Sequence, residues 1–211
     1  NMPQLPIYLL FLLSGSAALI YQVVWVRILG LSIGSTSVSV SIVVATFFIG
    51  MAIGSELSTR IKRFGNNYIN YYILAEAIIA ISALALLPIL FNLDRLVVSI
   101  PLLGQYFSTK LILVTLVLII PTVCIGASFP LLINALAKVF EHHKTNNATS
   151  NIGLYYGVNT LGAVLGAISV GFILIPQWGL DGAVYVAASL NIGALSVAIY
   201  SKKYWLSIYQ H

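Results

Sequence analysis

The chain has 211 residues, of which 60% are hydrophobic and only 7% charged, with a mean hydropathy of +1.01. A soluble domain carries about a quarter charged residues, so fifteen charges exclude a water-exposed globular surface, and the apolar excess excludes intrinsic disorder. The composition fits a bilayer. Six spans of about 20 apolar residues each would use nearly all the hydrophobic positions, leaving no room for a separate soluble catalytic domain.

Six apolar runs follow in chain order, at about residues 5–29, 36–55, 68–91, 110–137, 152–175 and 183–201. Each is 19 residues or longer, the length of a membrane helix rather than a buried soluble one. The alternating ten-residue segments of a transmembrane barrel are absent. The expected fold is therefore all-α, a single polytopic bundle of six transmembrane helices over residues 1–211.

The formal net charge is +5, yet the basic residues lie in short loops between apolar runs. That is the pattern that orients a membrane protein, not the clustered face that binds nucleic acid. Arg60, Lys62, Arg63, Lys138, Lys144, Lys202 and Lys203 follow the even-numbered spans. Only Arg27, Arg95 and Lys110 fall on the other side. With six spans, the positive-inside rule places both termini in the cytoplasm, and the expected location is the cytoplasmic (inner) membrane of a bacterium.

Several residues carry information along the spans. Tyr21, Gln22, Trp25 and Arg27 cluster in the outer half of the first span. Trp25 and Arg27 read as interfacial anchors, while Gln22 is deeper and needs a hydrogen-bond partner, with Asn191 at a similar depth. Glu76 is the one acidic residue well inside a span. A carboxylate there is paired, protonated or facing a cavity. It is a substrate-binding candidate with a structural hydrogen-bonded carboxyl as the competing reading. Asn159, Ser128 and Pro130 are expected at the same depth, and Tyr156 lies one turn from Asn159.

The loop of residues 92–109 is the long outer connection and reads as an amphipathic interfacial segment or a loop packed on the bundle. The fourth span carries Pro121 and Pro130 around Gly126, which predicts a kinked or interrupted helix. Interrupted membrane helices can line a site; a simple structural kink is the plainer alternative. Gly30/Gly34, Gly50/Gly54, Gly153/Gly157 and Gly162/Gly166 recur at four-residue spacing, which allows close helix packing in lipid. Gly153 and Gly157 fall near the opposite side of the fifth helix from Gly162 and Gly166, so that helix is expected between two neighbours.

No cofactor or metal site is expected. Cys124 is the only cysteine and reads as a small buried residue. The run from Glu141 to Lys144 holds adjacent histidines without a third spaced ligand. The sequon at Asn147 falls on the predicted cytoplasmic side. No catalytic centre of soluble type is visible.

Residues 14–29 read SGSAALIYQVVWVRIL, and residues 34–65 read GSTSVSVSIVVATFFIGMAIGSELSTRIKRFG. YILAEAII, PTVCIGASFPLL and, over residues 153–180, GLYYGVNTLGAVLGAISVGFILIPQWGL follow in order. This series resembles the membrane module of the fused spermidine synthase-like (polyamine aminopropyltransferase-like) proteins, and is similar to half of a major facilitator transporter. GSELSTRIKRFG looks like a degraded form of the basic loop between the second and third helices of such transporters. The family usually carries an acidic residue where Gln22 stands. Its soluble portion is a Rossmann-like fold that binds a decarboxylated S-adenosylmethionine-type donor and a polyamine, and none of its motifs occur here. The resemblance implies membrane architecture and, first, a non-catalytic scaffold, anchor or accessory subunit. A second implied function is a half-size transporter or binding protein for a small cationic solute such as a polyamine. A third is the membrane part of a longer aminopropyltransferase-like enzyme. The expected partners are the lipid bilayer and other membrane subunits or a second copy of the chain, with no nucleic acid.

Overall fold

A computed structural model describes residues 4–61, 67–99, 107–142 and 151–208. The described residues are almost wholly helical, with no strand among them. The helices are α1 (Gln4–Ile33), α2 (Thr36–Arg60), α3 (Tyr68–Phe91), the short α4 (Leu93–Val98), α5 (Phe107–His142), α6 (Ile152–Ser169) and α7 (Ile175–Ile208). A π-helical turn, Val170–Leu174, joins the last two. Five helical stretches are long and apolar enough to cross a membrane: Gln4–Ile33, Thr36–Arg60, Tyr68–Phe91, Thr109–Val139 and Ile152–Lys203.

The outward sides of these helices are as apolar as the inward ones. Phe48, Ile81, Leu116, Ile168 and Phe172 all face outward. Helices that are hydrophobic all round need an apolar solvent on the outside, so the chain is a polytopic membrane protein.

Two aliphatic clusters fill the interior, one toward each end. The first holds Ile20 to Leu29 of α1, Ile79 to Leu90 of α3, Val114 and Leu118 of α5, Val170 and Leu174, and Ala183 to Ala187 of α7. The second holds Ile7 to Phe11, Tyr68 to Ala75, Ala127 to Val139, Tyr155, Ala194 and Ala198. Numbers rise from the second cluster to the first in α1, α3 and α6, and fall in α5 and α7. α1, α3 and α6 therefore run one way, and α5 and α7 the other. The reversal between α6 and α7 lies between Leu174 and Ala183. Gly179 is the non-helical residue within that stretch, with φ 73°, a backbone angle that glycine adopts without steric cost. The α1–α2 turn works similarly. Gly34 takes φ 73°, and the Ser35 side chain accepts from the Val38 N–H at 3.4 Å, capping α2.

Glycines allow two close helix pairs. A Cβ at Gly50 would strike Thr122 of α5, and one at Gly54 would strike the Val123 carbonyl; Gly126 faces the Met51 backbone in return. On the other side, Gly162 and Gly166 of α6 receive the Leu12 and Ser16 backbones of α1, and Gly15 receives Asn159. Backbone approach of this kind raises dispersion contact where lipid provides no hydrophobic drive. α3 and α7 pack on each other, α3 also on α5 and α7 also on α1, so α1 has neighbours on most sides.

Three expectations change. The fourth span is not interrupted: α5 runs unbroken through both Pro121 and Pro130. The Thr122 hydroxyl donates to the Leu118 and Ile119 carbonyls and Ser128 to the Ile125 carbonyl, bonds within the same helix. The departures from α-helix lie instead at Val170–Leu174 and Gly179. Among the described residues α6 is not enclosed on two sides, since Gly153 and Gly157 meet nothing there within 4 Å. Trp25 is not an interfacial anchor. It is 1% exposed, stacked on Tyr21 with centroids 5.5 Å apart and tilted against Phe47 at 6.1 Å; Arg27 is exposed. Several helices also extend beyond the apolar runs, because polar residues at the ends continue the backbone bonding.

Candidate functional site

The gap between the two aliphatic clusters is polar. In α1 it falls between Phe11 and Ala17, in α3 between Ala75 and Ile79, and in α7 between Ala187 and Ala194. Ser14, Glu76 and Asn191 occupy these gaps, one from each helix.

Glu76 is fully buried. The Ser14 hydroxyl donates to its Oε1 at 2.7 Å, and the Asn191 amide donates from Nδ2 to its Oε2 at 2.6 Å. Asn191, itself buried, accepts the Tyr21 hydroxyl on Oδ1 at 2.8 Å. That bond fixes the amide orientation, because a hydroxyl donating to one end leaves the NH₂ end for the carboxyl. Tyr72 lies one turn below Glu76 on the same side of α3. Its buried hydroxyl lies beside Glu76 and Ser14 yet makes no hydrogen bond of normal geometry. No Lys or Arg pairs with Glu76 among the described residues; the ion pairs there are Arg60–Glu56 and Lys110–Asp94.

The other predicted site residues are distributed around this layer. Asn159 sits against Gly15, next to Ser14 in α1 but on the α6 side. Ser128 bonds its own helix at Ile125 and does not join Glu76. Tyr156 is exposed on α6 and meets Phe129 edge-on, with centroids 5.9 Å apart. Gln22 is half-buried, and Asn191 turns to Tyr21 and Glu76 instead of to it. Neither Gln22 nor Asn159 has a side-chain hydrogen bond among the described residues. Sequence reading missed Ser14 and Tyr72. The signal for Tyr72 was present, since a residue four before Glu76 shares its helix side.

A second polar group ties the far end of the bundle. Ser32 at the end of α1 donates to Asp94 Oδ2 at 3.2 Å. Lys110 donates to the Ser32 carbonyl at 2.6 Å and to Asp94 Oδ1, which holds the Asp94 carboxyl below the usual carboxylate range. The cation at the carboxyl end of α1 also suits the helix dipole. The connection after α3 is thus partly helical, with Leu93 and Val97 of α4 buried; residues 100–106 lie outside the described residues.

No group of three or more metal-ligating side chains occurs among the described residues. The His143 and Asn147 positions lie outside those residues. The buried layer is well suited to hold one carboxyl in a fixed neutral-donor setting, and no nucleophile–base pair accompanies it among the described residues. Comparison with family models, with curated proteins and with solved structures finds no match.

Proposed function

We propose that the chain is a non-catalytic membrane module, an accessory or scaffolding subunit that docks a neighbouring membrane helix through the open side of α6. The observation that carries this reading is the asymmetry of that helix. Gly162 and Gly166 hold α1, whereas Gly153 and Gly157 have no neighbour within 4 Å among the described residues, and Tyr156 and Thr160 beside them are exposed. Small residues give a helix little advantage against lipid, but they let another helix approach closely. The test is a photo-crosslinker placed at Gly157 in the full chain in its native membrane. The reading expects a discrete adduct there and none from Leu116 on the lipid side. A lone monomer with no adduct at either position counts against it.

We take the 52-residue stretch Ile152–Lys203 as two crossings. One helix of that length would reach about 78 Å at 1.5 Å per residue, far beyond a hydrocarbon core of about 30 Å. Six crossings, with seven of the ten basic residues after even-numbered spans, put both ends in the cytoplasm of a bacterial cell. Reporters fused to the two ends then report the same compartment.

A second reading, half of a binding or transport unit for a small cationic solute such as a polyamine, draws on Gln22 and Asn159. Both are half-buried amides without a side-chain hydrogen bond among the described residues, and such groups in a membrane look for one. Uptake of labelled polyamine by vesicles carrying the parent or Asn159→Leu discriminates: no uptake by the parent ends this reading.

A further inference from the structure

The surroundings of Glu76 can be named helix by helix. α1 presents Tyr21 and Ser14, α3 itself presents Tyr72, α5 presents the half-buried Cys124, and α7 presents Asn191. α4, with Asp94 and Arg95, lies at the far end of α3. None of the groups around the carboxyl is a cation.

Donor accounting then decides what the site holds. Tyr21 turns the amide of Asn191 so that its N–H points at Glu76. Ser14 points its O–H at the other oxygen. Hydrogens directed at both oxygens leave a poor seat for a metal ion. Neutral donors alone, the Tyr72 hydroxyl beside the carboxyl included, do not offset a full negative charge removed from water. A neutral carboxyl has one O–H of its own to place. The Tyr72 hydroxyl is the buried oxygen beside it with no hydrogen bond.

We infer that Glu76 is a proton-binding site: the closed bundle holds this carboxyl in its neutral form with its hydrogen directed at Tyr72. Release of the proton to water leaves the carboxylate. It requires water to reach the layer, or α1, α3 and α7 to part there. The inference is independent of the docking reading, since it concerns the bundle interior and not the outer side of α6.

The test is the infrared spectrum of the full chain at neutral pH, in a detergent without carbonyl groups. The chain has five acidic residues. Of these, Glu56, Asp94 and Asp181 are exposed. The expected result is a carbonyl stretch of a protonated carboxyl that disappears in Glu76→Gln, persists in Glu141→Gln, moves in Glu76→Asp and moves in Tyr72→Phe. Should Glu76→Gln fail to fold, the displacements in Glu76→Asp and Tyr72→Phe make the assignment. Absence of the band from the parent, or a band indifferent to every change at positions 76 and 72, overturns the inference.

Discussion

Gly54 of α2 lies so close to the Val123 carbonyl of α5 that a single added methyl group would overlap it. Gly157 of α6, by contrast, has open space where its side chain would be. The two glycines are alike in sequence, each the second of a four-residue pair, and differ in what stands opposite.

Gly54→Val is therefore expected to force α2 from α5 and to destabilise the bundle by about 1–3 kcal/mol, the range for overpacking. Gly157→Ala is expected to change stability by no more than about 1 kcal/mol, in the stabilising direction, because alanine is the better helix former. Thermal unfolding of the two purified variants in one detergent checks both. Equal losses would contradict the packing described.

Asn191 links two groups, so its removal strands both. Asn191→Leu leaves the Tyr21 hydroxyl and a Glu76 oxygen without their partners. The expected loss is about 1–3 kcal/mol, the cost of a buried unsatisfied group. Tyr21→Phe removes one of the same bonds. The double variant should lose less than the sum of the two single losses, and a thermal or denaturant cycle over the four proteins measures the difference.

Asp94 gives its end of the bundle a dependence on acid. Its carboxyl is held below its ordinary value by Lys110. A depressed folded-state value means the contribution is present above the unfolded value, about 3.9, and is lost as pH falls through the lower folded one. Asp94 is 66% exposed at its side chain, so screening limits the contribution to about 1 kcal/mol or less. The thermal midpoint of Asp94→Asn is expected to sit slightly below the parent at neutral pH and to converge with it in strong acid. A constant gap over the whole range would show that the ion pair is not its origin.

Trp25 and Trp178 report on opposite surroundings. Trp25 is sealed against Tyr21 and Phe47, while Trp178 is 58% exposed beside the reversal at Gly179. In single-tryptophan variants reconstituted with brominated lipid, Trp178 fluorescence is expected to be quenched more than that of Trp25. Trp25→Ala is expected to cost about 3–5 kcal/mol, as for other large buried aromatics.

Helical class and membrane solvent were legible because they depend on composition and run length, which survive any detail of packing. Glu76 stood out for the same reason: one carboxyl in an apolar run is visible without a structure. What the run could not reveal was its company. Ser14 is 62 residues away in sequence and Asn191 is 115, and depth alone selected Asn159 and Ser128 as readily. The prolines of α5 allowed either a kink or a break, and the helix carries no break, its backbone continuing through both. The break at Gly179 falls in the gap between the fifth and sixth apolar runs, whereas the π-helical turn at Val170–Leu174 lies inside an apolar run and has only its backbone bonding to mark it. Trp25 was misread because aromatic residues near a span end serve both as anchors and as core, and only the position of α2 separates the two.

The layer of Ser14, Glu76 and Asn191 also settles a question that hydrocarbon alone leaves open. Alkyl side chains in oil tolerate axial slippage, for one leucine meets its neighbour about as well as the next. A shift of α7 by one turn, about 5.4 Å, would carry Asn191 away from both Glu76 and Tyr21. The three long rods are thereby latched at one height, and the greasy halves above and below inherit their registry from a handful of polar atoms.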